Sequence, residues 1–124
     1  MKVLAIDDEP AILASLRMIL LEMPHCELDC VNSVMQAMDL TKEKEYDFIF
    51  VDLKMPGQDG VWFVKNAALP RKTKVLLLTA YLNRSALNEL FRCGISGYLT
   101  KPFDRDDVLR HLAFHSLAQQ TVST

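Results

Sequence analysis

Three carboxylates that could hold a metal ion follow two separate strand-like runs of the sequence. Asp7 and Asp8 come directly after the apolar run 3–6, and Asp52 comes directly after the run 47–51. Two carboxylates about 4 Å apart repel by roughly 4 kcal/mol at an effective dielectric constant of 20, so three together require a cation or a proton. Oxygen ligands alone favour a hard cation, and Mg²⁺ is the candidate because it keeps several waters and accepts phosphoryl oxygens.

A hydroxyl and an ammonium group follow two further runs of the same kind. Thr79 comes after the run 74–78, and Lys101 comes after the short segment 97–100. A hydrogen-bond donor and a lysine point charge are groups that bind a phosphoryl group. The residues that follow these runs therefore indicate phosphoryl chemistry assisted by a divalent cation, provided that the fold brings the ends of the runs together.

Short apolar runs alternate with longer segments of helical period along the whole chain, which is typical of a repeated βα unit. The pattern predicts strands at 3–6, 27–31, 47–51, 74–78 and 97–100, and helices at 10–21, 34–44, 61–68, 83–93 and from 105 onward. The first strand is interpreted as buried on both faces and the second, which alternates, as an edge strand. Five such units form an open parallel sheet covered on both faces, and ligands of such sheets bind beyond the carboxyl ends of the strands.

The composition fits one soluble domain. The chain has 124 residues, half of them hydrophobic and 24% charged, with a net charge of −2, so it has neither room for a second domain nor excess basic charge for nucleic acid or anionic membrane. No apolar run is long enough to span a membrane and no signal peptide is recognised, so we expect a cytoplasmic protein. Cys26, Cys30 and Cys93 are interpreted as buried small hydrophobic side chains. His111 and His115 are interpreted as packing or solvated residues, because no third metal ligand is apparent.

Four short motifs carry a family resemblance. In chain order they are Asp7-Asp8-Glu9-Pro10, then Asp52-Leu53-Lys54-Met55-Pro56 with Gly57 and Asp59-Gly60, then Thr79-Ala80, and then Tyr98-Leu99-Thr100-Lys101-Pro102-Phe103. Over nearly its whole length the chain resembles the receiver domain of bacterial two-component response regulators. The resemblance implies an α/β, flavodoxin-like (βα)5 fold: a doubly wound parallel sheet of strand order 2-1-3-4-5 in a single domain. We expect the receiver domain at residues 1–118 and a polar tail, or the start of a linker, at residues 119–124.

The resemblance also implies the roles of the acidic residues. Asp52 is expected to be the phosphoacceptor, which receives the phosphoryl group from a phosphohistidine of a sensor histidine kinase or a histidine phosphotransfer protein. Asp7, Asp8, Asp52 and the backbone carbonyl of Lys54 are expected to hold Mg²⁺. Such a protein is a signalling receiver with self-catalysed phosphoryl transfer and slow autodephosphorylation, not an enzyme in the usual sense.

By the same resemblance, Lys101 and the Thr79 hydroxyl contact phosphoryl oxygens, and Thr79 and Tyr98 form the switch. Their movement changes the surface made by the fourth helix, the fifth strand and the fifth helix, which partners recognise. The Lys101-Pro102 peptide bond is expected to be cis. The downstream partner is not indicated by these residues, and we expect no direct binding to nucleic acid or membrane.

Two other classes of protein fit the same residues less well. A haloacid dehalogenase-type phosphatase also forms a phosphoaspartate but carries Asp-x-Asp, whereas Lys54 occupies the second position after Asp52. A flavin carrier on this fold would need a Gly-rich phosphate loop in place of the acidic segment 7–9. Asp8 is also expected to cap the helix that begins at Pro10. One alternative stays open, a receiver domain from a longer regulator with a DNA-binding or enzymatic output domain.

Overall fold

A five-stranded parallel sheet forms the centre of the computed structural model, which describes residues 1–80 and 84–123. The elements are β1 (Lys2–Ile6), α1 (Pro10–Leu20), β2 (Glu27–Val31), α2 (Val34–Glu43), β3 (Phe48–Asp52), α3 (Gly60–Asn66), β4 (Lys74–Thr79), α4 (Arg84–Arg92), β5 (Gly97–Thr100) and α5 (Arg105–Ser123). The strand order is β2-β1-β3-β4-β5 with every neighbouring pair parallel, which confirms the predicted fold. The predicted start of the fourth helix at Asn83 lies outside the described residues.

The two faces of the sheet are covered by different helices. Alternate residues of a strand point to opposite faces, so Leu4 and Ile6 of β1 join one core while Val3 and Ala5 join the other. The first core receives buried side chains from α2, α3 and α4, and the second receives them from α1 and α5. All five residues of β3 are buried, whereas β2 is mostly half-buried at the edge, as predicted.

Local sequence explains where several helices begin and end. Ser33 and Asp59 cap α2 and α3 by accepting hydrogen bonds from the backbone N–H groups of Gln36 and Trp62. Asp104 caps α5, because its Oδ1 accepts a 2.8 Å hydrogen bond from the N–H of Asp107. Past the end of α4, Gly94 has a φ of +108°, a conformation that only glycine adopts without strain.

Two expectations about individual side chains are wrong. The N-cap of α1 is Glu9, which makes no side-chain cap hydrogen bond, and Asp8 does not cap that helix. The reason is local: the helix begins with a proline, which has no N–H to satisfy, and the N–H of Glu9 donates to Asp7 Oδ1. Cys93 is exposed on the turn after α4, and the other two cysteines are half-buried, not buried.

Helix α5 continues to Ser123, past residue 118, and Thr124 lies outside the described residues. The end of the domain at residue 118 therefore stays a prediction. Among residues 1–80 and 84–123, no helix is both long and apolar enough to pass through a lipid bilayer.

Candidate functional site

The strand order brings the predicted site residues to one edge of the sheet. In the register of the central strands, Ile6 pairs with Val51. Asp7 and Asp52, the next residue in each strand direction, therefore lie side by side at the ends of neighbouring strands. Two backbone hydrogen bonds fix the neighbouring ends: Leu53 N donates to Leu78 O at 2.9 Å, and Lys101 N donates to Thr79 O at 2.8 Å. The expectation that distant runs converge on one edge is confirmed.

Four carboxylates meet at this edge. Asp7, Asp8, Glu9 and Asp52 each offer one oxygen atom, and these oxygens all lie within 4.8 Å of one another. Asp7 is fully buried, Asp52 is 6% exposed, and Asp8 and Glu9 are exposed. Asp7 Oδ1 accepts a 2.9 Å hydrogen bond from the N–H of Glu9, and Asp52 Oδ1 accepts one of 3.3 Å from the N–H of Lys54. The buried pair faces the protein and the exposed pair faces solvent.

One ammonium group partly neutralises this cluster. Lys101 Nζ lies 2.9 Å from Asp7 Oδ2, 3.0 Å from Glu9 Oε1 and 3.4 Å from Asp52 Oδ2. The lysine side chain is only 10% exposed, so these ion pairs are screened by solvent less than pairs on an open surface. Three of the four carboxylates contact this one ammonium, so its single positive charge does not balance their negative charge.

The surroundings shift the pKa values of both central groups. Burial, and then the charge of Asp7, raises the pKa of Asp52 to about 6, although Lys101 acts in the opposite direction. Burial alone lowers the pKa of Lys101, but its close contacts with Asp7 and Glu9 and the charge of Asp52 raise that pKa overall. Asp52 is therefore mostly ionised at pH 7 and Lys101 is protonated.

A cleft of about 240 Å³ opens over these groups. Its lining residues are Asp8, Glu9, Asp52, Leu53, Lys54, Thr79, Ala80 and Lys101. Thr79 is the last residue of β4 and is 2% exposed. Tyr98 of β5 is half-buried and packs against the core formed with α2, α3 and α4. The structure thus places the predicted acceptor, metal and phosphoryl-binding residues together and Tyr98 beside the adjoining core.

Close backbone packing positions the loop that follows β3. A Cβ atom at Gly60 would lie 2.2 Å from the backbone oxygen of Asp52, so a side chain at this position would collide with the strand end. The N–H of Gly60 donates to Leu53 O at 3.2 Å, and Asp59 caps the helix that begins there. The motif Asp59-Gly60 therefore fixes the end of β3 against α3.

The donor set fits a hard divalent cation. The buried atom Asp7 Oδ2 has no hydrogen-bond partner, although the lysine ammonium lies at ion-pair distance from it. An oxygen of this kind, with three further carboxylate oxygens within 4.8 Å, matches the ligand chemistry of Mg²⁺. The sequence interpretation missed Glu9 as a member of this site, although a third consecutive acid after Asp7 and Asp8 was a signal for it.

A second cleft, of about 290 Å³, lies away from the acidic edge. It is formed by α5 and by Ser96, which directly precedes β5. His111 and His115 line it, with their ring centroids 6.2 Å apart, and His115 also contacts the ring of Phe48 at 6.4 Å. Burial lowers the pKa of both histidines. These contacts confirm that His115 is a packing residue.

The acidic edge lies at the switch point of a doubly wound sheet, where ligands of such folds bind. The family model of the response regulator receiver domain matches residues 3–113, and the chain belongs to this family. Phosphorylation-dependent switching in two-component systems is the general function of the family. The Lys101-Pro102 peptide bond is cis, as the resemblance implied.

Individual relatives agree with this assignment. The chain is 35% identical over 121 residues to the transcriptional regulatory protein ResD of Bacillus subtilis, covering 97% of this chain and 50% of ResD. It is 28% identical over 106 residues to the chemotaxis protein CheY-3 of Vibrio cholerae, covering 83% of this chain and 82% of CheY-3. The solved structure of Vibrio cholerae CheY4 superimposes with a TM-score of 0.82 at 28% identity, covering 90% of this chain and 95% of that one. The chain therefore spans half the length of ResD and most of the length of the chemotaxis proteins.

Proposed function

We propose that Asp52 accepts a phosphoryl group from a phosphohistidine of a sensor histidine kinase or histidine phosphotransfer protein, in a reaction that requires Mg²⁺. One observation carries the proposal: Asp52 ends a buried strand inside a cleft where carboxylate oxygens and the Lys101 ammonium converge. An isolated strand-end aspartate would need no such surroundings.

The chemistry follows from the groups around the acceptor. An ionised Asp52 oxygen attacks phosphorus, the bond from phosphorus to the donor histidine nitrogen breaks, and the imidazole leaves with the bonding electrons. With a pKa of about 6, the Asp52 carboxyl is largely in the nucleophilic form at pH 7. Asp7, Asp8, Asp52 and the backbone carbonyl of Lys54 would hold the metal ion. When bound, Mg²⁺ shields the negative charge of the incoming phosphoryl oxygens.

Lys101 and Thr79 would contact the negatively charged phosphoryl group once it is bound to Asp52. Lys101 lies close enough to Asp52 to pair with a phosphoryl oxygen on it, and the buried Thr79 hydroxyl lines the same cleft. Movement of Thr79 toward the phosphoryl group would draw the end of β4 inward, and Tyr98 would turn further into the adjoining core. The surface made by α4, β5 and α5 would then change, which is how a local charge becomes a signal. Slow autodephosphorylation resets the switch.

The proposed activity is compatible with a receiver that stands alone and with a receiver inside a longer protein. The coverage of CheY-3 supports a receiver that acts through partner proteins, and the half coverage of ResD supports a receiver within a longer regulator that carries a DNA-binding or enzymatic output domain. We place the reaction in the cytoplasm, where the phosphohistidine donors of such systems act. Because the net charge is −2, we propose no direct binding of nucleic acid or membrane by this domain.

The test is phosphoryl labelling with acetyl phosphate. We expect the unaltered protein to be labelled only with Mg²⁺ present, and the Asp52→Asn variant to lose the label. Asp47→Asn is the matched control: Asp47 precedes the same strand at its opposite end, where its Oδ2 accepts a 2.8 Å hydrogen bond from Lys2 N. Undiminished labelling of the Asp52→Asn variant, equal to that of Asp47→Asn, would overturn the assignment of Asp52, and labelling that persists in EDTA would overturn the requirement for Mg²⁺.

A further inference from the structure

Glu9 is the one carboxylate contacting Lys101 to which the proposed function gives no role. Its Oε1 lies 3.0 Å from Lys101 Nζ, although the two residues are 92 positions apart in the chain. Its side chain is 58% exposed, while the other two carboxylates that contact the ammonium are buried. Glu9 therefore reaches the ammonium from the solvent side of the cleft.

The three carboxylates differ in what else they must do. Under the proposed function, Asp7 and Asp52 turn oxygens toward a divalent cation, and a cation about 4 Å from the lysine ammonium repels it. Lys101 would then lose its partners at 2.9 and 3.4 Å while remaining only 10% exposed. An ammonium left unpaired in a buried position is costly. Glu9 is the carboxylate that can stay with it, because its exposed side chain is free to follow.

We propose that Glu9 is a positioning residue for Lys101: it retains the ammonium at the rim of the cleft while Asp7 and Asp52 bind the cation. This proposal rests on the proposed function. Retention by Glu9 reduces the cost of displacing Lys101, and it therefore strengthens Mg²⁺ binding through the lysine. It also keeps the ammonium beside the position where a phosphoryl group on Asp52 would lie.

A competing explanation is that Glu9 acts on the cation directly, since its oxygen belongs to the group of four within 4.8 Å. A double-mutant cycle separates the two. We expect Glu9→Gln to weaken Mg²⁺ affinity about three- to tenfold when Lys101 is present, a range set by partly exposed ion pairs. In the Lys101→Met background the same change should have less than about a twofold effect. Affinity is measured by calorimetric titration of the full chain with Mg²⁺ at physiological salt.

Glu45→Gln is the control for bulk charge, because Glu45 is 65% exposed and pairs with Lys72. It should leave Mg²⁺ affinity unchanged. A Glu9→Gln effect of equal size with and without Lys101 would overturn the proposal in favour of direct action. An effect of Glu45→Gln as large as that of Glu9→Gln would also overturn the proposal, because it would show that net charge alone sets the Mg²⁺ affinity.

A second measurement does not depend on how well Lys101→Met folds. The ¹⁵N-detected NMR signal of the Lys101 ammonium should remain visible and slowly exchanging at saturating Mg²⁺ in the unaltered protein, and should broaden or vanish in Glu9→Gln. The same signal in both proteins would overturn the proposal. Failure of the proposed function is distinct, because it would abolish Mg²⁺ binding and Asp52 labelling in the unaltered protein.

Discussion

Asp52→Asn should make the protein more stable in the absence of metal, although it removes the proposed phosphoacceptor. Burial and the charge of Asp7 raise the pKa of Asp52 in the folded protein, so the ionised form is disfavoured there relative to the unfolded chain. Asparagine has nearly the same shape and carries no charge. The substitution therefore removes an electrostatic penalty from the folded state.

The size of the effect follows from the shift. The pKa rises from 3.8 to about 6, which is about two units, and each unit corresponds to about 1.4 kcal/mol. At pH 8, where Asp52 is ionised in both the folded and the unfolded state, the upper limit of the gain in the free energy of unfolding is about 3 kcal/mol. The shift already includes the attraction of Lys101, which lowers the pKa of Asp52, and imperfect packing of the amide in the variant reduces the gain. We expect Asp52→Asn to raise the free energy of unfolding by about 1–3 kcal/mol at pH 8.

The gain in stability from Asp52→Asn should become smaller as the pH falls. Because the folded pKa lies above the unfolded one, the folded protein takes up a proton first as the pH falls through 6, and the penalty on the unaltered protein disappears by about pH 4. Urea unfolding of both proteins in EDTA, at several pH values from 8 to 4.5, gives the difference directly. Mg²⁺ at pH 8 should stabilise the unaltered protein more than the variant, because only the former has the full ligand set.

Two results would refute this reasoning. One is an Asp52→Asn variant that is no more stable than the unaltered protein at pH 8 in EDTA. The other is a stability difference that stays constant between pH 8 and pH 4.5. Either would mean that Lys101 already neutralises the charge of Asp52 in the folded state.

Three further changes test other parts of the structure. Gly60→Ala should destabilise the fold by about 2–4 kcal/mol in urea unfolding and slow the labelling of Asp52, because the new Cβ would lie 2.2 Å from the backbone oxygen of that residue; unchanged stability would contradict the close approach. His115→Gln should reduce the loss of stability that the protein shows between pH 7 and pH 5. Burial and then the charge of His111 lower the pKa of His115, so the folded protein resists its protonation below pH 6.5. Stability curves of the two proteins that run parallel with pH would contradict this. Thr79→Ala should keep phosphoryl labelling but reduce the amide NMR shifts that phosphorylation causes in α4 and β5, and shifts of full size would remove Thr79 from the switch.

The strand order and the site edge could be predicted because each depends on patterns that the fold enforces. Strands buried on both faces, such as β1 and β3, appear in the sequence as short apolar runs, and a parallel sheet must collect their carboxyl ends at one edge. The types of the residues after those ends, above all Asp52 and Lys101, then restricted the chemistry. Boundaries shifted by only a residue or two because helix and strand ends fray.

The errors concern individual side chains, and only some of them depend on contacts with distant parts of the chain. Asp8 looked like a helix cap because the local sequence permits it, but Glu9 occupies that position and Asp8 turns to the cleft. The contact between Glu9 and Lys101 joins two loops that no local pattern relates. Cys93 is exposed because it lies on the turn after α4, where burial depends on which neighbours pack over it.

The long separation between Glu9 and Lys101 also bears on synthesis of the chain on the ribosome. Asp7 and Glu9 are translated well before β5, the strand that positions the lysine and forms one outer edge of the sheet. Until that strand docks, Asp7 and Asp52 have no ammonium beside them and repel each other at adjacent strand ends. The acidic edge is therefore complete only once β5 has docked, and a nascent chain that lacks β5 carries Asp52 without the ammonium of Lys101.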